Sequence, residues 1–159
     1  MTVVGPDATV AVGDEAPEFA LNDQNNERFR LSSYHGSKAV LLVFYPLAFT
    51  GICTGELSAL RDDLDAFQND DVQVAAISVD SVYTNKVFAE REGYEFPLLS
   101  DFWPHGEVAR RYGAFNTESG IANRGTFLVD RTGIVRFAEM LSPGQVRDPQ
   151  AWRDAIKAL

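Results

Sequence analysis

Cysteine is almost absent from this chain, which has a single one, Cys53, among 159 residues. One thiol cannot close a disulfide within its own chain, bind a metal through paired cysteines or act as a two-cysteine exchange centre. Any redox chemistry that Cys53 carries out must therefore finish on a partner molecule. The alternative is that Cys53 is a small hydrophobic side chain of the core, as an isolated cysteine often is. The residues around it decide between these interpretations.

Positive charge is also scarce. The chain has 14 lysines and arginines against 23 acidic residues, which gives a formal net charge of −9. This balance disfavours nucleic acid and an anionic membrane as partners. The two histidines, His35 and His105, form no cluster with Cys53 at a spacing typical of metal ligands. We therefore expect neither a metal nor an organic cofactor.

Long hydrophobic runs are missing as well. The longest, Ala39 to Phe49, is too short to span a bilayer and contains Pro46. The segment Met1 to Asp14 has no basic side chain and no continuous apolar core, so it does not resemble a secretory signal. A free thiol without a disulfide framework fits a reducing compartment. These observations predict a soluble cytoplasmic protein.

Apolar residues are plentiful, at 45% of the chain with 11% aromatics, which is enough for the core of one domain. We predict a flexible N-terminal leader over residues 1–11 and a single domain over residues 12–159.

Periodicity and turn residues predict the order of the elements. The first half of the chain has a hairpin of 19–21 with 29–31, a buried strand over 38–45, a helix with the apolar residues Leu57, Leu60, Leu64 and Phe67, and a strand over 72–79. The second half has a helix over 82–92, a short strand over 96–99, a brief helix over 107–112, a hairpin of 126–129 with 134–138, and a helix over 149–159. Strands joined through helices pair in parallel. The order therefore predicts an α/β protein with a mixed central sheet flanked by helices and an N-terminal hairpin extension, for which the thioredoxin-like fold is the natural candidate.

The buried strand of residues 38–45 leads directly into the segment that contains Cys53. Pro46 ends the strand, and Cys53 falls in the first turn of the following helix, where unpaired backbone N–H groups and the helix dipole favour a thiolate. The hydroxyl of Thr50, three residues earlier, can donate to a substrate oxygen or accept a proton. Taken singly, Thr50 is an ordinary helix N-cap and Pro46 an ordinary strand terminator. Their joint occurrence in the pattern Pro-x-x-x-Thr-x-x-Cys favours a reactive Cys53.

This pattern at a strand-to-helix junction is the hallmark of the peroxiredoxins, which the chain resembles from about Val12 onward. Other stretches that resemble the family are Val12 to Phe19, Leu31 to Gly36, Phe96 to Asp101 and Arg124 to Asp130. Three stretches are similar to the AhpE subfamily of actinobacterial one-cysteine peroxiredoxins: Pro46 to Leu57, Asp101 to Gly106 and Gly120 to Gly125.

The resemblance implies a thiol-dependent peroxidase and a role for each matching residue. Cys53 would be the peroxidatic nucleophile that becomes sulfenic acid, while Thr50 and the backbone N–H of Cys53 hold the peroxide. Arg124 would polarise the peroxide and favour the thiolate, although an arginine taken at random forms a surface ion pair. Pro46 would shield the site. Two interpretations of Glu56 stay open: an acidic residue that supports the site, or a simple complement to the helix N-terminus.

The resemblance also implies partners. The substrates would be hydrogen peroxide, alkyl hydroperoxides and peroxynitrite. Because the chain has no resolving cysteine, the sulfenic acid must react with an external thiol or be oxidised to sulfinic acid. The subfamily implies mycothiol with a mycoredoxin, or a thioredoxin-type reductant. A homodimer, or a higher oligomer, would form through loops near the site, with Phe49 and residues 101–104 as candidate contacts.

Two other functions compete with a peroxidase. A thioredoxin-like disulfide reductase is disfavoured because the chain has no Cys-x-x-Cys pair. A redox-sensing or chaperone-like binding protein, in which reversible oxidation of Cys53 alters binding to a partner, is the alternative from a different class. Catalytic turnover separates it from a peroxidase.

Overall fold

The computed structural model describes residues 9–159. Most of the predicted leader, residues 1–8, lies outside the described residues, and Val10 in its described part is buried. The strands are β1 Ala20–Asn22, β2 Arg28–Arg30, β3 Ala39–Phe44, β4 Val72–Ser78, β5 Leu98–Ser100, β6 Phe115–Asn116, β7 Ile121–Ala122, β8 Arg124–Val129 and β9 Val135–Leu141. The helices are α1 Gly51–Asp62, α2 Val82–Glu92, α3 Glu107–Arg111 and α4 Pro149–Lys157, with 3-10 turns at Leu31–Tyr34 and Leu64–Ala66. Within residues 9–159, no helix has the length and apolar content needed to cross a membrane.

The main sheet has seven strands in the order β2-β1-β5-β4-β3-β8-β9. β3, β4 and β5 run parallel, since α1 and α2 connect them, and the other neighbouring pairs are antiparallel. All six residues of β3 are buried, as in a central strand that is covered on both faces. The mixed sheet confirms the predicted α/β class.

Alternate residues of β3 contribute to two apolar clusters on opposite faces of the sheet. Val40, Leu42 and Phe44 belong to the cluster that includes residues of α3. Leu41 and Val43 belong to the cluster that includes residues of α1, α2 and α4. Packing from both sides therefore fixes the end of β3, and with it the start of the segment that contains Cys53.

Two elements differ in length from the prediction. α1 ends at Asp62 rather than extending to Phe67, because Asp63 has φ −132° and ψ 41°, which leave the helical region before the 3-10 turn. β5 begins at Leu98 rather than Phe96, since the intervening Pro97 has no N–H to donate to a neighbouring strand.

Two differences concern strand pairing, and a third observation concerns the N-terminal hairpin. β8 begins at Arg124, two residues before the predicted start, and this places Arg124 on the sheet. The hairpin of β6 and β7 is absent from the sequence-based prediction, because paired segments of two residues are too short to show a period. The predicted N-terminal hairpin is present as β1 and β2, and it extends the main sheet at one edge through a pairing of Asn22 with Ser100.

Candidate active site

Cys53 is the third residue of α1 and has no solvent-exposed area. It belongs to the same buried cluster as Tyr45 and Leu57. The N–H of Thr54 makes a bond of 2.9 Å to the carbonyl oxygen of Thr50. The N–H groups of the residues before Thr54 in α1 therefore have no partner within the helix, as at every helix start. The sulfur thus lies at the positive end of the helix dipole.

Thr50 is the N-cap residue of α1, but its side chain does not cap the helix. Instead, its hydroxyl donates a hydrogen bond of 2.8 Å to the carbonyl oxygen of Leu47. The proton of the hydroxyl is therefore occupied, and the exposed oxygen is left as an acceptor. Of the two predicted uses of Thr50, this geometry favours acceptance. Pro46 is buried between the end of β3 and this loop.

Arg124 is the first residue of β8 and is only 2% exposed, so it is not part of a surface ion pair. Its Nη1 donates to Oε1 of Glu56 at 2.7 Å, and its Nε donates to the carbonyl oxygen of Pro143 at 2.9 Å. Among the described residues, Nη2 of Arg124 makes no hydrogen bond. This nitrogen is available to an oxygen of a substrate.

Glu56 is buried one turn after Cys53 and accepts hydrogen bonds from two arginines. Besides Arg124, Nη2 of Arg147 donates to Oε1 at 2.7 Å, and the backbone N–H of Arg147 donates to Oε2 at 2.9 Å. The carboxylate is therefore directed into this pair of guanidinium groups. A mere complement to the helix N-terminus does not require those partners.

Sequence reasoning missed Arg147, which is 4% exposed. It completes a buried cluster of three charged side chains, Glu56, Arg124 and Arg147. Its Nη1 donates to the carbonyl oxygen of Gly125 and to Oγ1 of Thr126, both at 3.1 Å. Its guanidinium carbon lies 5.7 Å from the ring centroid of Trp152. The only local signal is a basic residue just before the predicted helix over 149–159. That signal does not distinguish it from a surface arginine.

The cluster has one positive charge in excess, since a single carboxylate faces two guanidinium groups. Burial raises the pKa of the Glu56 carboxyl, but the hydrogen bonds and charge of Arg147 and the charge of Arg124 outweigh burial, and the pKa lies below its ordinary value of 4.5. The pKa of the Arg147 guanidinium lies below its ordinary value, because burial and the neighbouring charge of Arg124 outweigh its hydrogen bond to Glu56 and the charge of that carboxylate. Arginine stays protonated in proteins, so the excess positive charge persists. The site therefore favours an anion near the start of α1.

The structure thus assembles most of the predicted residues at one place. Pro46, Thr50 and Cys53 occupy the junction of β3 and α1, and Glu56 links α1 to Arg124 at the start of β8. Within the described part of the chain, no group of three or more His, Cys, Asp or Glu side chains is arranged to hold a metal.

Comparison with known proteins shows which family the chain resembles. The model of the AhpC/TSA family matches residues 12–138. The chain is 60% identical over 148 residues to alkyl hydroperoxide reductase E of Mycobacterium tuberculosis, covering 93% of this chain and 97% of that protein. The crystal structure of peroxidoxin BcpB from Mycobacterium tuberculosis has a TM-score of 0.82 and 31% identity, covering 94% of this chain and 98% of that one. The reduced 2-Cys peroxiredoxin of Plasmodium vivax has a TM-score of 0.82 and 32% identity, covering 92% and 80% of the two chains.

The chain therefore belongs to the AhpC/TSA family, as an AhpE-like peroxiredoxin with a thioredoxin-like fold. It is a thiol-dependent peroxidase, and its single cysteine fits the one-cysteine type. The predictions of family, fold and activity are confirmed. The alternative of a redox-sensing or chaperone-like binding protein is not favoured.

Proposed function

We propose that Cys53 is the peroxidatic nucleophile of this enzyme. Its thiolate attacks one oxygen of a peroxide, and a sulfur–oxygen bond forms as the oxygen–oxygen bond breaks. The other oxygen leaves as water or an alcohol after it takes up one proton from solvent, which balances the proton that the thiol released when it ionised. The sulfur is oxidised to sulfenic acid and the peroxide is reduced. The observation that carries this proposal is the position of Cys53 at the start of α1, one turn from a carboxylate that holds Arg124.

The neighbouring residues divide the work of binding and charge stabilisation. The Thr50 oxygen accepts a hydrogen bond from the O–H of the attacked oxygen, since its own proton is bound to Leu47. The free Nη2 of Arg124 donates to the oxygen that gains negative charge, together with the backbone N–H of Cys53. Pro46 limits the access of water, and Glu56 with Arg147 holds Arg124 in place.

The substrates we propose are hydrogen peroxide, alkyl hydroperoxides and peroxynitrite. The name of the mycobacterial relative, alkyl hydroperoxide reductase E, supports the second of these. The excess positive charge of the arginine cluster supports an anionic peroxide such as peroxynitrite.

We propose that an external thiol recycles the enzyme. A thiol attacks the sulfenic acid, a mixed disulfide forms and water leaves, and a second thiol then releases reduced Cys53. Mycothiol with a mycoredoxin, or a thioredoxin-type protein, is the proposed reductant. The single cysteine supports an external donor, because the chain has no second thiol with which to form a disulfide.

Three further proposals concern the whole protein. A homodimer, or a higher oligomer, forms through exposed aromatic side chains that include Phe49 and Trp103. Residues 12–159 form one domain, which is supported by the contribution of β3 to both apolar clusters. The location is cytoplasmic, since a catalytic thiol of this kind needs a reducing compartment.

The central proposal is tested by adding one equivalent of hydrogen peroxide to the reduced protein. Tryptophan fluorescence follows the reaction, and a sulfenic-acid probe traps the product in the wild type and in Cys53→Ser. We expect a rate far above that of free cysteine and a trapped product only in the wild type. A rate close to that of free cysteine, or a product in Cys53→Ser, would contradict the proposal.

A further inference from the structure

The loop between β3 and α1 is tied to the end of β4 by the side chain of Asp80. Oδ2 of Asp80 accepts a hydrogen bond of 2.9 Å from the backbone N–H of Ala48. The same oxygen accepts a hydrogen bond of 2.7 Å from the hydroxyl of Ser78, the last residue of β4. The carboxylate of Asp80 is therefore oriented by β4 and in turn holds the loop at Ala48.

The residue after Ala48 has a backbone conformation that needs such support. Phe49 has φ 67°, in the left-handed region that an aromatic residue rarely adopts. Its ring lies 4.9 Å from the ring of Phe88, and the guanidinium carbon of Arg91 lies 5.3 Å from its centroid. The strained residue is thus fixed on one side by Asp80 through Ala48 and on the other by the packing of its ring on α2.

Thr50 follows directly and depends on the same loop for its orientation. Its hydroxyl donates to Leu47, on the other side of the strained residue, so both ends of this hydrogen bond belong to the loop. If the hydrogen bond from Ala48 is lost, Phe49 can relax toward an ordinary φ. We expect this relaxation to change the position of the Thr50 oxygen relative to Cys53.

We propose that Asp80 is a positioning residue for peroxide reduction, which holds the loop of residues 46–50 so that the oxygen of Thr50 faces a peroxide at Cys53. The inference rests on the role proposed above for Thr50. Asp80 acts as a hydrogen-bond acceptor, because both donors meet the single oxygen Oδ2. An amide oxygen at this position can accept the same two hydrogen bonds, so Asp80→Asn preserves the function.

The test compares the rate of Cys53 oxidation by hydrogen peroxide in the wild type, Asp80→Ala, Thr50→Val and the double variant. We expect Asp80→Ala to slow oxidation by about 10- to 100-fold, the usual effect of misplacing a group that binds substrate. In the Thr50→Val background, Asp80→Ala should slow oxidation by less than a further factor of about two, because the effects of residues that act through one another are not additive. Asp80→Asn should stay within about threefold of the wild type.

A second measurement separates positioning from a general loosening of the site. Alkylation of Cys53 by iodoacetamide does not use Thr50, so its rate should be the same in Asp80→Ala and in the wild type. Asp130→Ala is the matched control, since Asp130 also accepts backbone N–H groups, from Thr132 and Ile134, at the opposite end of β8 from Arg124. It should leave the oxidation rate unchanged.

Equal slowing by Asp80→Ala in both backgrounds would overturn the inference, as would an Asp80→Asn protein as slow as Asp80→Ala. If Asp80→Ala does not fold, Ser78→Ala takes its place, because it removes the second donor to Oδ2 and should show the same dependence on Thr50 with a smaller factor. A slow wild type would contradict the proposed peroxidase chemistry itself. A different outcome would contradict only the role of Asp80. In that outcome Cys53 is oxidised fast in the wild type and slowly in Thr50→Val, but Asp80→Ala slows oxidation by the same factor whether or not Thr50 is present.

Discussion

Glu56 has two buried guanidinium partners, and the balance of charge among these three groups determines what the site can bind. Removing charges from water is costly, and buried ion pairs seldom repay that cost in stability. We propose that the excess positive charge instead serves function, by stabilising a thiolate at Cys53 and a polarised peroxide. Within residues 9–159, Nη2 of Arg124 makes no hydrogen bond and is the donor that this proposal uses, whereas Arg147 is occupied by Glu56, Gly125 and Thr126.

The first prediction at the scale of single residues concerns Arg124. Arg124→Ala should slow oxidation of Cys53 by about 100- to 1,000-fold, since it removes a donor aimed at developing charge. The fold should persist, because Glu56 keeps its hydrogen bonds to Arg147. Stopped-flow fluorescence measures the rate, and Arg153→Ala, which breaks a partly exposed pair with Asp63, is the control. An unchanged rate in Arg124→Ala would remove this arginine from the site.

The second prediction concerns the pH dependence that Glu56 gives to stability. The folded state lowers the pKa of this carboxyl below 4.5, so its contribution is present above that value and is lost as the pH falls through the folded pKa. Glu56→Gln should therefore lower the free energy of unfolding by about 3 kcal/mol near neutral pH, because it leaves two buried guanidinium groups without a charged partner.

Urea unfolding followed by tryptophan fluorescence measures this difference. As the pH falls from 4.5 through the lower pKa of the folded state, the carboxyl becomes protonated in the folded as well as the unfolded protein, and the two proteins should approach equal stability. A difference in the free energy of unfolding that stays constant with pH would show that the charge of Glu56 is not what stabilises the cluster.

At the scale of elements, the residues next to its two ends determine where α2 begins and where it ends. The hydroxyl of Ser81 accepts a hydrogen bond of 3.1 Å from the N–H of Thr84, which is an N-cap. Gly93 ends the helix with φ 73°, in the left-handed conformation that glycine adopts without penalty. α2 packs its aromatic Phe88 against the strained Phe49 of the active-site loop. The placement of this helix therefore supports the loop that contains Thr50.

The third prediction compares the same substitution at two glycines. Gly93→Ala should lower the free energy of unfolding by about 1 kcal/mol, because the left-handed conformation is unfavourable for alanine even though its side chain has room. Gly55→Ala, at an exposed position inside α1 with open space around it, should stabilise by about 0.5–1 kcal/mol. Urea unfolding of both variants measures the two changes. If both substitutions changed the free energy of unfolding in the same direction, this explanation of how α2 ends at Gly93 would be contradicted.

At the scale of the whole molecule, large aromatic side chains remain in contact with solvent. Trp103 is 81% exposed, Phe102 54% and Phe49 44%. Exposed aromatic residues of this size are enriched where proteins associate. The net charge of −9 acts against association of two copies, so added salt should strengthen a dimer by screening that repulsion.

The fourth prediction is that the protein sediments as a dimer and that Trp103→Asp shifts it toward the monomer. Burying a charge in place of an aromatic contact removes apolar area and adds a desolvation cost. Analytical ultracentrifugation measures the mass, which for one chain is 17.6 kDa. Val12→Asp, at another exposed apolar side chain, is the control. A monomeric wild type would contradict the proposed dimer, and an unaffected variant would exclude Trp103 from its interface.

Much of the fold and the core of the site could be predicted from the sequence, because the relevant signals are local. The residues of α2 follow from its cap and its terminal glycine, and β3 follows from a continuous apolar run. Pro46, Thr50 and Cys53 lie within one short segment, and the apolar run before it and the helical periodicity after it place them at the junction of a strand and a helix. The number of cysteines likewise requires an external reductant once Cys53 is oxidised.

The partners of these residues come from distant parts of the chain and required the folded molecule. Glu56 bonds to Arg124 across 68 positions and to Arg147 across 91. Asp80 holds Ala48 from the end of another strand, 32 positions away. Neither periodicity nor local spacing marks such residues, because packing of the sheet and helices alone brings them together. The sequence thus determines the reactive thiol and its local setting, while tertiary packing determines which charges and hydrogen bonds surround it.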